Sequence, residues 1–214
     1  MEIDTNFLGK AVHILGYHFA STNQRLLEAL TWTRKGRVER IGKIIKKINQ
    51  LGYALTMDDI LIEAKLSKSL GRPHIARAMV KKGYFTLVQE VFDTLIASGK
   101  PAFCEQEKLS PEEAVALIHE AGGITSLAHP CEITLEGAVT KLLKETSLDA
   151  IEVWHPSARE GNSIQNLYAL AKDRNLMMSG GSDFHGMAGR FPDDLGVFPV
   201  LYDDVKAVIE YRNT

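Results

Sequence analysis

The sequence predicts an α/β fold built on a parallel sheet or barrel and interrupted by a helical insertion. Three observations carry that prediction. From Ser110 onward, short apolar runs alternate with helix-patterned stretches, the order that generates parallel strands. One further apolar, β-branched run, AVHILGYHFA at 11–20, stands near the start of the chain, separated from the rest by a segment with helical spacing only. Lastly, the apolar runs after Ser110 end in His129, in His155, and in Asp183 with His185. Ligand-type residues at the carboxyl ends of strands mark the edge where α/β folds assemble active sites.

Taken in order, 11–17 reads as a buried strand. Almost nothing precedes it, so it is expected to lack neighbours and to expose an edge that would promote aggregation. From about Ser21 to Lys108 the spacing predicts roughly four or five short helices. In GRVERIGKIIKKINQLG the residues Val38, Ile41, Ile44, Ile45, Ile48 and Leu51 recur at three- and four-residue intervals, and Gly52 supplies a stop. Arg40, Lys43, Lys46 and Lys47 fill the opposite face. They could attract an RNA backbone, but a solvated helix face is the commoner explanation of such a run. Thr56 is placed to cap TMDDILIEA. Pro73 sits in the first turn of RPHIARAMVKKG, which Gly83 closes. FTLVQEVFDTLIASGKPAF is read as one more striped helix, ended by Gly99 and Pro101.

After Ser110, which pairs with Glu113 in a capping box, come the strand ITSLAHP, a helix over 134–146 and the strand LDAIEVWHP. A helix over 159–174, the strand NLMMSGG and a closing helix from about Asp203 to Tyr211 complete the chain. The expected domains are a barrel formed by 1–20 with 108–214 and a helical insertion over 21–107.

The chain has 214 residues, 45% hydrophobic and 24% charged, an ordinary globular composition. A net charge of −2 gives no broad electrostatic case for nucleic-acid or membrane binding. Cys104 and Cys131 form no zinc-finger or CxxC spacing and read as reduced thiols of a cytoplasmic protein. The first residues, MEIDTNFLGK, do not form a signal peptide, and no apolar run has the length of a membrane span.

In SGGSDFHG (179–186) two glycines allow a sharp bend, and Asp183 and His185, two residues apart, leave an extended segment on the same face. His13, between Val12 and Ile14, is expected to be buried and to need a polar partner. His18 and His119 are read as structural. Three successive strand ends carrying His, His and Asp-x-His point to a metal site. Mixed imidazole and carboxylate donors suit a divalent ion, manganese first, with zinc or iron also compatible.

SDFH, AHP (128–130) and VHILGY (12–17) resemble the polymerase and histidinol phosphatase (PHP) superfamily. GRPHIAR (71–77) and GKPAF (99–103) resemble the bacterial branch whose members act on nucleotides and RNA 5′ ends. The resemblance implies a distorted (β/α)7 barrel and a trinuclear metal centre. It implies metal ligation by His13, His129, Asp183 and His185, and by Glu2, which falls on a bridging glutamate of the family; Asp4 departs from the family residue. It also places the opening HxHxxxSDG and TDH motifs before Met1. The chain is therefore expected to lack the first barrel strands and several ligands.

The expected function is a metal-dependent phosphoesterase acting on nucleotide or oligonucleotide phosphate esters, as a 3′,5′-nucleoside bisphosphate phosphatase or 5′-3′ exoribonuclease does, impaired by that loss. The alternative is an inactive remnant that binds at most a metal or a partner. A histidinol-phosphate-type phosphatase is disfavoured by the GRPHIAR insertion. Arg72 and His74 are candidates for gripping phosphate, a guanidinium suiting bidentate contact. A cap or ion pair on its own helix is the competing reading of Arg72. His155 is a candidate substrate contact, or else bonds within its loop. The partner implied is a nucleotide or short RNA, and no protein partner can be inferred.

Overall fold

The structure, a computed structural model, describes residues 1–65, 70–159, 161–184, 192 and 194–212. In chain order the elements begin with β1 (Glu2–Phe7), β2 (Lys10–Tyr17) and helices α1 (Gln24–Gln50), α2 (Met57–Ala64), α3 (Arg72–Lys81) and α4 (Val88–Val91). They continue with α5 (Pro111–Glu120), β3 (Ile124–Leu127), α6 (Ala138–Glu145), β4 (Ala150–Trp154), α7 (Ser163–Asp173), β5 (Met177–Gly180) and α8 (Tyr202–Ile209). Two compact units result: Met1–Leu26 with Lys108–Thr214, and Leu27–Glu107.

In the first unit the strands form one sheet in the order β1-β2-β3-β4-β5. The strands after Ser110 are parallel, as their alternation with helices predicts, and the antiparallel pairs come from the first two strands. β1 pairs antiparallel with β2 and β2 antiparallel with β3, while β3-β4 and β4-β5 are parallel. The expectation that 11–17 lacks neighbours is corrected, since β2 is flanked on both sides. β1 is its hairpin partner through a two-residue loop in which Leu8 and Gly9 both have positive φ (52° and 78°), the backbone of the tight turns that match strand twist.

Register sorts the side chains into two faces. Ile3, Thr5 and Phe7 of β1 and Val12 and Ile14 of β2 lie on one face, and all are buried. The opposite face carries Glu2 and Asp4 beside His13 and Leu15, then Ser126, then Ala150 and Glu152, then Ser179. On that second face the Ser126 and Ser179 hydroxyls meet at 2.8 Å, although β4 runs between their strands. Two strand spacings on a flat sheet amount to roughly 10 Å, so the sheet curls strongly there and this face is concave. In register, Ala150 lies beside Ser126 and Glu152 beside Ser179.

Helix α5 begins in the capping box of Ser110 and Glu113, with Pro111 in its first turn. Its His119 accounts for itself structurally. His119 Nε2 lies 2.7 Å from Asp149 Oδ2, which also accepts from the Thr125 amide at 2.7 Å. His18 lies 2.6 Å from the Val208 carbonyl of α8.

The second unit is helical, as its periodicity predicts. Helix α1 is one long element of 27 residues, capped by Asn23, whose Oδ1 accepts from the Leu26 amide. Ile41, Ile44, Ile45 and Ile48 are buried in the core with Ile60, Ile75, Met79 and Ile96. Val38 and Leu51, the ends of the predicted stripe, stay 47% and 45% exposed. Thr56 caps α2 in a full capping box with Asp59. The striped segment after Phe85 forms a shorter helix than its pattern suggests: α4 passes after one turn into a π-helical turn over Phe92–Ile96. Among the described residues no helix is long and apolar enough to cross a membrane.

Candidate metal centre

Antiparallel pairing puts Asp4 directly opposite His13, with Glu2 two residues along on the same face. His129 arrives from the end of β3, where the Ala128 amide donates to the His13 carbonyl at 3.0 Å. The convergence is close. Glu2 Oε1 lies 2.6 Å from His13 Nδ1 and 3.5 Å from His129 Nε2, and the two ring nitrogens are 3.1 Å apart. These donor atoms all lie within 4.8 Å of one another.

Such a triangle suits a cation. Ligands bound at ~2.1 Å to one ion stand roughly 3 Å from each other. Without an ion the same contacts have to be held by protons. Burial works against charge on His13, but hydrogen bonds to Asp4 and Glu2 outweigh it and push its pKa up to about 9. His129 is raised in the same sense, Glu2 outweighing burial. Hydrogen bonding to His129 and His13 holds the Glu2 carboxylate far below the usual range. The far side of His129 also suits a ligand. Nδ1 is buried with no hydrogen-bond partner among the described residues, and Glu132 Oε2 lies 3.4 Å away, where metal-bound histidines ordinarily find a carboxylate.

Three carboxylates around this cluster escape a reading of the sequence as motifs. Asp4 lies 3.4 Å from His13 Nε2 and 2.6 Å from Lys108 Nζ. Glu132 follows the Pro130 turn. Glu152, in the middle of β4, is buried, and burial lifts its pKa to about 7. A glutamate inside the apolar run AIEVW is the one signal that could have singled it out.

The other expected site residues are placed as follows. Asp183 leaves β5 in a left-handed conformation (φ 49°). It stands outside the three-atom cluster, near enough to Glu152 for its charge to raise that pKa. His185 lies outside the described residues. The two glycines before them are not bend makers, since neither has positive φ. They permit close approach instead. A Cβ on Gly180 would lie 2.9 Å from the Trp154 carbonyl oxygen, and one on Gly181 would lie 3.3 Å from Glu152 Oε1. His155 is buried, its ring 5.4 Å from that of His129, and its Nδ1 accepts from the Ser157 amide, which leaves Nε2 to carry the proton of the neutral ring.

Arg72 and His74 belong to the helical unit. Arg72 donates to the Ile96 carbonyl at 3.1 Å, with its guanidinium over the Phe92 and Phe103 rings. His74 Nδ1 accepts from the Gly71 amide and so caps α3.

No protein-family model matches the chain. A 5′-3′ exoribonuclease from Haemophilus influenzae is 31% identical over 214 residues, covering 98% of this chain and 76% of the relative. A 3′,5′-nucleoside bisphosphate phosphatase from Chromobacterium violaceum is 29% identical, covering 89% of this chain and 68% of the relative. The 5′-3′ exoribonuclease Rnm from Escherichia coli is 30% identical, covering 86% and 64%. The chain thus spans between 64% and 76% of these relatives' lengths. Among solved structures, a protein from Bifidobacterium adolescentis described as a metal-dependent phosphoesterase superposes with a TM-score of 0.82 at 25% identity, over 97% of this chain and 74% of that one. An amidohydrolase from Chromobacterium violaceum, with sulfate bound and no metal, gives 0.75 at 26% identity, over 86% and 66%.

Acidic and imidazole donors gathered at one end of a curved α/β sheet, together with these likenesses, define the class: a metal-dependent phosphoesterase, which is a hydrolase using a divalent metal. More narrowly, the chain belongs to the PHP-superfamily family that includes the 5′-3′ exoribonuclease and 3′,5′-nucleoside bisphosphate phosphatase relatives.

Proposed function

We propose that the protein hydrolyses a terminal phosphate ester of a nucleotide or short RNA, with Glu2, His13, His129, Asp183 and His185 holding divalent metal. The observation that carries this reading is the convergence of Glu2 Oε1, His13 Nδ1 and His129 Nε2. Manganese is the preferred ion, because the proposed ligands mix the carboxylates Glu2 and Asp183 with the imidazoles His13, His129 and His185, and zinc and iron are the alternatives. When bound, such ions supply Lewis acidity and lower the pKa of water.

The chain's own groups perform the remaining tasks. Deprotonated Glu2 carries the negative charge that draws the ion in. His13 gives up the proton it holds in the metal-free site. His155 is carried forward as a candidate substrate contact, its buried ring lying beside that of His129. Arg72 and His74 are carried forward as the candidate phosphate-gripping side chains of the helical unit. The curl of the sheet supports a distorted (β/α)7 barrel as the parent architecture, with the helical unit as its insertion. A cytoplasmic location agrees with the two unpaired cysteines.

The test is Mn²⁺-dependent release of phosphate from a nucleoside 3′,5′-bisphosphate and of mononucleotides from a 5′-phosphorylated oligoribonucleotide. Asp183→Ala and His129→Ala should abolish release from both. Undiminished release by both variants would overturn the assignment. Metal binding with no hydrolysis of either substrate would favour the inactive remnant.

A further inference from the structure

The strand β4 buries a glutamate where its pattern calls for an apolar residue. Glu152 is 5% exposed in the run Ala150–Trp154, and a carboxylate so placed costs several kcal/mol unless it is hydrogen-bonded. No lysine or arginine among the described residues forms an ion pair with it. Its compensation comes from the backbone. Glu152 Oε2 accepts from the His129 amide at 2.7 Å.

That amide is unusual. His129 has φ 28° and ψ 59°, a left-handed conformation that strains a non-glycine residue. It also precedes Pro130, which pushes its neighbour toward extended backbone. The His129 amide thus donates to a side chain of β4, and the residue so held carries the imidazole that meets Glu2 and His13. Glu152 also lies against the next strand end, for a Cβ at position 181 would stand 3.3 Å from its Oε1, two residues before Asp183.

We propose that Glu152 is a positioning residue: its carboxylate holds the strained His129 backbone, and braces the exit of β5, so that the ligand side chains are set before metal arrives. This rests on the metal-site reading above. Glu152 is not one of the three clustered donors and acts through His129.

The experiment uses the whole protein and Mn²⁺ as the probe, measuring affinity by calorimetry, the Mn²⁺ electron paramagnetic resonance spectrum, and melting without metal. Glu152→Leu keeps the volume and removes the acceptor. Glu152→Gln keeps an oxygen able to accept the His129 amide. Leucine is expected to weaken Mn²⁺ binding by about 10–100-fold, the usual effect of losing an outer partner, with glutamine within about threefold of the parent. The metal-free melting of both should stay near the parent's, and only the leucine variant should show a changed spectrum. Parent-like affinity in Glu152→Leu would overturn the proposal. So would an equal loss in Glu152→Gln, which would make the carboxylate itself a ligand. His129→Ala separates the two levels of inference. If it binds Mn²⁺ like the parent, the ligand set itself is wrong. If it loses binding while Glu152→Leu does not, only the positioning role falls.

Discussion

The two units bury opposite chemistry. The helical unit's core is aliphatic throughout, from Ile41 to Ala102. Among the described residues, every buried polar or charged side chain lies in the sheet unit: Thr5, Thr125, Ser126, Glu152, His155 and Ser179. One unit is packed for cohesion. The other gives up cohesion to hold donors in place, and sites with that character are where stability and activity trade against each other. The two tryptophans fall one to each unit, Trp32 in the helical and Trp154 in the sheet unit. Single-tryptophan variants therefore report the units separately.

The contrast can be broken by mutation. Ile48→Ala, at a fully buried position, should destabilise the helical unit by about 2–5 kcal/mol. Urea unfolding followed at Trp32 measures this, and Mn²⁺ affinity should not move. His129→Ala should do the reverse. Mn²⁺ affinity should fall by more than about a hundredfold, beyond the loss of an outer partner, while unfolding followed at Trp154 changes little.

A smaller effect comes from pH. With a folded pKa of about 9 against 6.5 for the free side chain, His13 contributes stability that is complete below pH 6.5 and lost as pH rises through about 9. Metal has to displace that same proton, so Mn²⁺ affinity should climb about tenfold per pH unit across this window. Metal-free stability and metal affinity thus run in opposite directions with pH. Calorimetry in buffers of different ionisation enthalpy should count the released proton. If the two quantities rose together, His13 would not be the group displaced.

Next in size is Ser126→Ala, which strands one hydroxyl of the buried serine pair and should cost about 1–3 kcal/mol at Trp154. Smallest is Arg25→Ala. Its exposed ion pair with Glu120 should contribute less than about 1 kcal/mol, and less still at high salt.

What could be read from the sequence follows from what is local. The isoleucine spacing of α1, the caps at Thr56 and Ser110 and the stops at Gly52 and Gly83 are short-range signals, and each element stands where they put it. Strand direction is not local. Nothing in VHILG distinguishes an antiparallel strand from a parallel one, and Leu8-Gly9 lacks the Asn or Asp that advertises a tight hairpin. For the site, Glu2, His13 and His129 are brought together as the resemblance implied. Asp4, Glu132 and Glu152 were invisible as partners because register and a strained turn, not spacing, bring them there. The glycines of SGGSD were legible as special, but the reason lay in the neighbouring strand.

The meeting of the Ser126 and Ser179 hydroxyls has a consequence for how the two ligand-bearing strand ends are coupled. It ties β3 to β5 directly by side chains, across the strand that lies between them. β3 leads into His129 and β5 into Asp183, so a shift of either strand is passed to the other without going through the β4 backbone.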